Sequence, residues 1–387
     1  MTKITDIPAI RFKGFSDTWE QRKLGDVVDV RSGKDYKHLS EGNIPVYGTG
    51  GFMLSVNQAL SYDEDAIGIG RKGTIDKPYI LKAPFWTVDT LFYAIPREKV
   101  DLNFAFDVFQ NIDWKKKDES TGVPSLSKTA INEIDVLVPQ YDEQQPLGQF
   151  FNRIDNLITL HQRKYDKLTN VKKSMLEKMF PQNGSNVPEI RFKGFTEAWE
   201  QRKFSDLVQI ERGGSPRPID DFITDSPDGL NWVKIGDAPA QGNYITKTAE
   251  KIKPEGLSKT REVHPGDLIL SNSMSFGKPY IMGIDGCIHD GWLLIRNTYK
   301  VFDLTFLCHL LGTPQMIIQY KSLAAGSTVN NLNKELVGNT VVTIPTIKEQ
   351  RVLGQYLETL DNLITLHQRE LEKLKNLKKA CLEKMFV

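Results

Sequence analysis

The sequence is built from two copies of one unit. The nine residues DNLITLHQR at Asp155–Arg163 return unchanged at Asp361–Arg369, and the flanking segments 143–180 and 349–386 align without a gap. A second block, PxIRFKGF…WEQRK, stands at 8–23 and again at 188–203. Each copy has a leader, a long middle and a closing helix. The edges are alike, which suggests a common partner or a mutual contact. The middles differ, which suggests two different ligands.

Composition excludes several classes of protein. The chain has 387 residues, enough for two or three globular domains, and a net charge of only +1, so any nucleic-acid binding must rest on local patches. Its three cysteines form no CxxC pair, which fits a reducing compartment and argues against a zinc site. The sequence has neither an apolar run long enough to cross a bilayer nor the apolar core of a signal peptide. We therefore expect a cytoplasmic protein.

Both middles show the pattern of many short strands. Glycine and proline separate short apolar runs, which is typical of strands joined by tight turns. Helical periodicity predicts a helix within 103–114 and another within 303–320, interrupted at Gly312-Thr313-Pro314. The aromatic residues of the leader are interpreted as packing anchors. We predict an α+β fold in which each middle combines a curled β-rich sheet with helices.

The closing helices carry a stripe of apolar residues whose spacing alternates between four and three. This 3.5-residue period is that of a coiled coil. The stripe contains Leu147, Phe151, Ile154, Ile158, His161, Tyr165, Leu168, Val171, Met175 and Met179, then Leu353, Leu357, Leu360, Ile364, His367, Leu371, Leu374, Leu377 and Cys381. The two histidines are interpreted as polar residues that fix the register.

The organisation predicted from this repeat is a pseudo-two-fold one. Equivalent units tend to be related by a two-fold axis, which makes the two helices an antiparallel coiled coil with the middles at opposite ends of a rod. The predicted divisions are a first middle with its leader (1–142), a long closing helix (143–182), a second middle with its leader (183–348) and a second long closing helix (349–387).

No catalytic signature is present in the sequence. It contains no GxxxxGK[ST], GxSxG or HExxH motif, and no Pro-Pro pair of the kind found in amino-methyltransferases. The glycine groups at 47–51 and 68–73 do not open a long helix and are interpreted as turns or close approaches to a ligand. His289-Asp290 lacks a recognisable nucleophile. We predict no catalytic residue, no metal site and no cofactor-binding site in this chain.

Basic and amide residues lie in the turns of both middles. Arginine and lysine in such turns suit phosphate contact and guanine reading, and asparagine suits adenine. Any one of them taken alone is more simply a solvated surface charge. The candidate DNA-binding residues are Arg31, Lys34, Tyr47, Thr49, Arg71, Lys72 and Lys128 in the first middle, and Arg212, Arg217, Lys234, Asn272, Ser273, Lys278, Asn330 and Asn331 in the second.

These motifs resemble those of a known family. The elements RFKGF…WEQRK, LxK…PxxxEQ and LDNLITLHQR, with their duplication, are similar to the specificity subunit of Type I restriction–modification systems, over essentially the whole chain. The resemblance implies that each middle reads one half of a split, asymmetric double-stranded DNA site. It also implies that the paired helices set the spacer between the halves and dock two modification subunits.

The resemblance further implies a chain without catalytic activity of its own. The partner modification subunits would carry S-adenosylmethionine and methylate adenine, and two restriction subunits, with ATP and Mg, would supply the nuclease of the full complex. Two alternatives remain open at this stage. One is a coiled-coil scaffold with two protein-binding heads, which the near-zero net charge favours. The other is a self-contained enzyme, which the missing motifs disfavour.

Overall fold

The computed structural model describes residues 7–182, 184–272, 277–325 and 331–386. The chain divides into two compact units. Unit 1 is Met1–His161 together with Glu370–Val387, and unit 2 is Gln162–Arg369. Both long helices therefore contribute a segment to each unit. The domain boundaries predicted at residues 142, 182 and 348 divide the sequence into consecutive segments, whereas the two compact units each combine segments that are distant in sequence. These boundaries stay a prediction.

Unit 1 contains a four-stranded antiparallel sheet in the order β2-β8-β5-β6, a three-stranded sheet in the order β4-β3-β7, and the pair β1-β9. Its strands are β1 Glu20–Lys23, β2 Val28–Ser32, β3 Glu41–Gly48, β4 Gly51–Val56, β5 Ala66–Gly70, β6 Tyr79–Leu81, β7 Trp86–Thr87, β8 Leu91–Pro96 and β9 Asp135–Val138. The helices are α1 Leu24–Val27, α2 Leu102–Asn111, α3 Lys128–Asn132 and the first part of α4 Tyr141–Lys178.

Unit 2 repeats this plan with one more strand in each of its two larger sheets. Its sheets run β11-β19-β16-β17-β13 and β14-β12-β18-β15, and β10 pairs with β20. The strands are β10 Glu200–Lys203, β11 Gln209–Arg212, β12 Leu230–Val233, β13 Tyr244–Ile245, β14 Glu250–Ile252, β15 Arg261–Val263, β16 Leu268–Ser271, β17 Pro279–Met282, β18 Gly286–Ile288, β19 Trp292–Arg296 and β20 Val341–Ile344. The helices are α5 Leu304–Leu311, α6 Pro314–Ala325, α7 Lys334–Gly338 and α8 Ile347–Met385. The predicted α+β class is confirmed, as is the break between α5 and α6.

The repeated leader and the EQ motif form the same buried arginine–glutamate ion pair in both units, which is called the leader lock below. In unit 1 Arg11 donates from Nε and Nη2 to the two carboxylate oxygens of Glu143, at 2.5 and 2.6 Å. In unit 2 Arg191 binds Glu349 in the same way, at 2.7 and 2.8 Å. Such two-pronged arginine–carboxylate bonds fix direction as well as distance. They tie each leader to the start of its long helix.

The glutamine that follows this glutamate binds the N-terminus of a helix in the same unit, α2 in unit 1 and α5 in unit 2. Gln144 Oε1 accepts from the backbone N–H of Asp101, the N-cap of α2, at 3.0 Å, and Gln350 does the same for Asp303 of α5 at 2.9 Å. Gly148 follows on the same face. A methyl group there would lie 2.6 Å from the backbone nitrogen of Phe104, so only glycine lets the two helices approach this closely.

Within each unit the two helix segments run antiparallel. In unit 1 Lys378 Nζ on α8 lies 2.6 Å from Asp155 Oδ2 on α4, and Phe386 packs on Phe151 with ring centroids 5.7 Å apart. In unit 2 Lys172 of α4 pairs with Asp361 of α8. The predicted antiparallel pairing is confirmed at this level. Toward the end of α8 the period drifts, so Leu377 of the expected stripe is exposed and Lys378 faces inward.

The LEKMF end of each long helix completes the core of a unit. Phe386 stacks on Phe104 in unit 1 with centroids 5.7 Å apart, and its edge meets Trp19 of the leader. In unit 2 Phe180 stacks on Phe306, also at 5.7 Å. The closing helix of the second copy therefore supplies core residues to the first middle. Trp19 is confirmed as a packing anchor.

One buried position distinguishes the two units. Asp107 of α2 and His309 of α5 lie six residues beyond the N-caps of their helices, and each faces one of the lysine–aspartate pairs between the long helices. Burial raises the pKa of Asp107 well above its usual value, and Lys378 only partly opposes this. Burial lowers the pKa of His309 to about 4, with Lys172 acting in the same direction.

His309 makes the stability of unit 2 depend on pH. Its folded pKa lies below the unfolded value of 6.5, so the unfolded chain gains a proton first and stability falls as the pH drops from 6.5 toward 4. The loss is roughly 3 kcal/mol at about 1.4 kcal/mol per pKa unit. We expect His309→Gln to flatten this dependence in urea unfolding curves recorded from pH 7.5 to 4.5.

His264 provides the control for that measurement. It is exposed, and its hydrogen bond to Asp285 raises its pKa, so its contribution is present at low pH and is lost as the pH rises. His264→Gln should therefore leave the loss at acid pH in place. If the stability of wild type and of His309→Gln fell equally between pH 7.5 and 4.5, His309 would not be the residue that makes unit 2 sensitive to pH.

Candidate nucleic-acid interface

Three of the candidate residues of unit 1 converge on one cleft. Arg71 follows the buried strand β5, and its backbone carbonyl accepts from the N–H of Leu126 at 2.9 Å, which brings the turn after β5 against the segment that enters α3. Lys128 is the first residue of that helix. The cleft has a volume of about 590 Å³ and is lined by Ser32, Arg71, Lys72, Asp89, Thr90, Phe92, Glu119, Ser125, Leu126, Ser127 and Lys128.

The cations of this cleft keep their charges available. The Arg71 guanidinium lies over the Phe92 ring at 5.7 Å, and its Nη1 donates to the backbone oxygen of Asp89 at 3.4 Å. Within the described ranges, no carboxylate lies in ion-pair distance of Arg71, Lys72 or Lys128. Arg31 contrasts with them, because it binds Asp29 at 2.7 Å and Glu64 at 3.2 Å. Its charge is already paired within the unit.

A cleft of unit 2 has a larger volume, about 1060 Å³. It brings together the candidates Arg217 and Lys234. Its other lining residues are Ser215, Pro216, Pro218, Ile219, Asp220, Ile223, Trp232, Glu250 and His289. Lys234 pairs with Glu250, whereas the Arg217 side chain is 82% exposed and its Nη2 lies 3.8 Å from Asp290 Oδ2.

Both clefts border the same turn of the fold. Asp89 lies two residues before β8, and Asp290 lies two residues before the equivalent strand β19. In each unit an exposed arginine contacts this turn. Arg71 donates to the backbone oxygen of Asp89, and Arg217 lies in ion-pair distance of the Asp290 carboxylate. The two middles thus present a cation at corresponding places although their loops differ in length and sequence.

His289 and Asp290 do not form an acid–base site. His289 Nδ1 accepts from the backbone N–H of Gly291 at 2.9 Å, so Nε2 carries the proton and donates to Asp290 at 3.0 Å. Ser215 Oγ also donates to Asp290, at 3.1 Å, so the hydroxyl is hydrogen-bonded to the carboxylate and not to the imidazole. In the described part of the chain, no cluster of His, Cys, Asp and Glu could hold a metal ion.

The remaining candidates lie elsewhere. Asn272 occupies the backbone position equivalent to Arg71, since each N–H pairs with the residue before β19 or β8 and each carbonyl accepts from Leu332 or Leu126. Its side chain is only 4% exposed, and its amide donates to the backbone oxygen of Asp290 at 2.9 Å. Lys34, Arg212 and Asn331 are exposed, Tyr47, Thr49 and Lys278 are half-buried, and Ser273 and Asn330 lie outside the described residues.

Sequence reasoning missed the walls of both clefts. Ser127 caps α3 and accepts from the backbone N–H of Ala130, a role that its place before a helix signals. Trp232 and Glu250 of unit 2 lie on neighbouring antiparallel strands and face each other in register. A single sequence gives no sign of that pairing.

The comparisons with known proteins agree with this architecture. A family model described as Type I restriction modification DNA specificity domain matches residues 16–170 and 196–376. The chain belongs to this family. The prediction of a Type I specificity subunit, the non-catalytic component of its complex, is thereby confirmed, and the alternative of a protein-binding scaffold is not favoured.

Individual relatives span nearly the whole chain. The Type I restriction enzyme MjaVIII specificity subunit of Methanocaldococcus jannaschii is 23% identical over 94% of this chain and 91% of its own length. The crystal structure of the Type I restriction–modification S subunit from M. genitalium covers 98% of this chain and 99% of its own, with a TM-score of 0.72 and 12% identity. A chain from a structure of type I R-M complex assembly gives 0.50 and 16%, with 95% and 97% coverage. At these identities the structures support the fold alone.

In the part of the chain that is described, no helix is long and apolar enough to span a membrane.

Proposed function

We propose that each unit reads one half of a split, asymmetric DNA site. The observation that carries this proposal is the unit 1 cleft, where Arg71, Lys72 and Lys128 converge and, among the described residues, form no ion pair, although Asp89 and Glu119 also line the cleft. Exposed cations of this kind contact phosphates and, in the case of arginine, bind guanine with two hydrogen bonds. The different cleft of unit 2, with Arg217 at its mouth, supports recognition of a different half.

The helices support a second part of the proposal, the docking of modification subunits. Leu157 and Leu160 of α4 are exposed within unit 1, and the equivalent Leu363 and Leu366 of α8 are exposed within unit 2. Apolar side chains repeated at identical helix positions suit two copies of one partner. We propose that they dock two modification subunits, that α4 and α8 set the spacer between half-sites, and that two restriction subunits join the full complex.

Cofactors and location follow from this assignment. We propose that S-adenosylmethionine is bound by the modification subunits and that ATP and Mg are bound by the restriction subunits, with no cofactor in this chain. A cytoplasmic location fits cysteines that are all free thiols, as well as a substrate of chromosomal or invading DNA.

Removing the cleft cations tests the DNA assignment. In the full chain we expect Arg71→Ala, Lys72→Ala and Lys128→Ala together to weaken DNA binding roughly 10²-fold. The slope of log affinity against log salt should shrink by about 0.9 for each lost phosphate contact. The control replaces Lys13, Lys77 and Lys99 of unit 1 by alanine, which changes net charge equally but lies outside the cleft. Equal losses in the two variants would show that the cleft has no special role.

A further inference from the structure

The hairpin of β3 and β4 in unit 1 presents two large apolar side chains to solvent. The strands are joined by a tight turn, Thr49-Gly50, and pair up to Gly48 and Gly51. Directly beyond the turn, Phe52 is 63% exposed and Met53 is 48% exposed. Two neighbouring side chains of this size and exposure beside a hairpin tip are not explained by the core of the unit.

The hairpin is braced from below. Tyr79 donates its hydroxyl hydrogen to the backbone oxygen of Gly48 at 2.7 Å. The Tyr47 ring meets Phe52 edge-on at 6.3 Å and lies against Tyr79 at 6.1 Å. Aromatic contacts of this geometry are favourable beyond the area that they bury. Phe52 therefore projects from a fixed base.

The tip borders the cationic cleft of unit 1. A methyl group built on Gly48 would lie 2.8 Å from Met53 Sδ and 3.6 Å from Val88 Cγ2, so the tip packs against Val88. Val88 is followed directly by Asp89 and Thr90, which line the cleft. A polyanion held by the cleft would have the apolar pair at its side.

The size of the patch decides what it meets. A stable protein–protein interface buries about 800 Å² on each partner, whereas one aromatic side chain supplies at most about 250 Å². An apolar wedge between two DNA base steps needs only one or two side chains, and phenylalanine and methionine are among those that serve. The small area and the neighbouring cations favour the DNA stack.

We propose that Phe52 and Met53 insert between stacked bases of the half-site that unit 1 binds, and so unstack one base step there. This proposal rests on the proposed DNA-reading function and adds the way in which the DNA is deformed. The deformation is confined to one half of the site. The equivalent strands of unit 2, β12 and β14, are fully described and carry no exposed large apolar side chain, and the exposed Tyr244 in the segment between them donates its hydroxyl hydrogen to Glu358 at 2.7 Å.

The test places 2-aminopurine, whose fluorescence rises when it is unstacked, at successive positions of the methylated site, and uses the complex assembled with its modification subunits. The target adenines are first located by sequencing of methylated adenines, and they are left unlabelled. We expect one step in the unit 1 half to brighten at least about threefold, and the signal to be lost in Phe52→Ala/Met53→Ala. The matched control is Tyr299→Ala, an aromatic residue of unit 2 with 66% exposure, which should keep the signal.

The possible outcomes distinguish a failure of the wedge proposal from a failure of the proposed DNA-reading function. Intact DNA binding with no brightened step, or with a step that persists in the double variant, overturns the wedge alone. Failure of the double variant to assemble with modification subunits, with the unstacking signal unchanged in whatever complex forms, assigns the pair to a protein contact and also overturns it. Absence of DNA binding by the wild-type complex overturns both proposals.

Discussion

Replacing Arg191 by methionine is expected to destabilise unit 2 by about 3–5 kcal/mol, because it leaves the carboxylate of Glu349 buried without its cation. Glu349 is only 3% exposed, and both of its oxygens accept from Arg191. The remaining donor, Trp199 Nε1 at 3.3 Å, is too weak to hold the charge alone. Urea unfolding of the full chain, with hydrogen exchange of 188–203 to locate the effect, measures the loss.

The leader itself supplies the matched control for this substitution. Arg202 stands in the same repeated block but forms an exposed pair with Glu200 at 3.3 Å, so Arg202→Met should cost less than about 1 kcal/mol. Adding Glu349→Leu to Arg191→Met should recover much of the loss, since the buried charge is then removed as well. Similar losses for the two arginine variants, or no recovery in the double variant, would show that the leader lock is not the reason the leader is repeated.

Exchanging residues 24–142 for the corresponding segment of another specificity subunit is expected to change one half of the methylated DNA sequence and leave the other half unchanged. Specific sites are typically bound 10³-fold or more above non-specific DNA, so the original half should be lost rather than weakened. Sequencing of methylated adenines in cells with and without the exchanged chain gives the answer directly. A change in both halves would contradict the modular reading of the two units.

The two ends of the exchanged segment place different demands on the donor sequence. At residue 24 many donor sequences should fit, because β1 pairs with β9 through backbone bonds with Lys23 opposite Asp135. At residue 142 the donor sequence is more restricted. The retained Gln144 and Gly148 receive an Asp101-type N-cap at close range. The same exchange with the donor's N-cap aspartate changed to alanine should lower stability by about 1 kcal/mol and leave the new half-site unchanged, because Gln144 accepts from a backbone N–H that alanine also supplies.

Much of this architecture could be read from the repeat. The match of 143–180 with 349–386 predicts two long helices, which the structure has as α4 and α8. Gly312-Thr313-Pro314 predicts the break between α5 and α6 because proline cannot continue a helix. The turns rich in glycine predict short strands in both middles. These features are local, so one sequence determines them.

The candidate binding residues were predicted less completely. Arg71, Lys72 and Lys128 meet in one cleft, whereas Arg31 is neutralised by Asp29 and Glu64 and Asn272 is buried. All five belong to the residue types and turns that suit DNA. Which of them keeps a free charge or amide depends on partners that come from distant strands, and a sequence pattern does not place those partners.

The sequence by itself determined that this protein has two units with like edges and unlike middles. Only the tertiary structure decided that LEKMF of the second copy completes unit 1, where Phe386 stacks on Phe104, and that Phe180 of the first copy completes unit 2. The two motifs are identical, so each would fit either core equally well on local grounds. The choice is made by which core the antiparallel segments of α4 and α8 bring within reach.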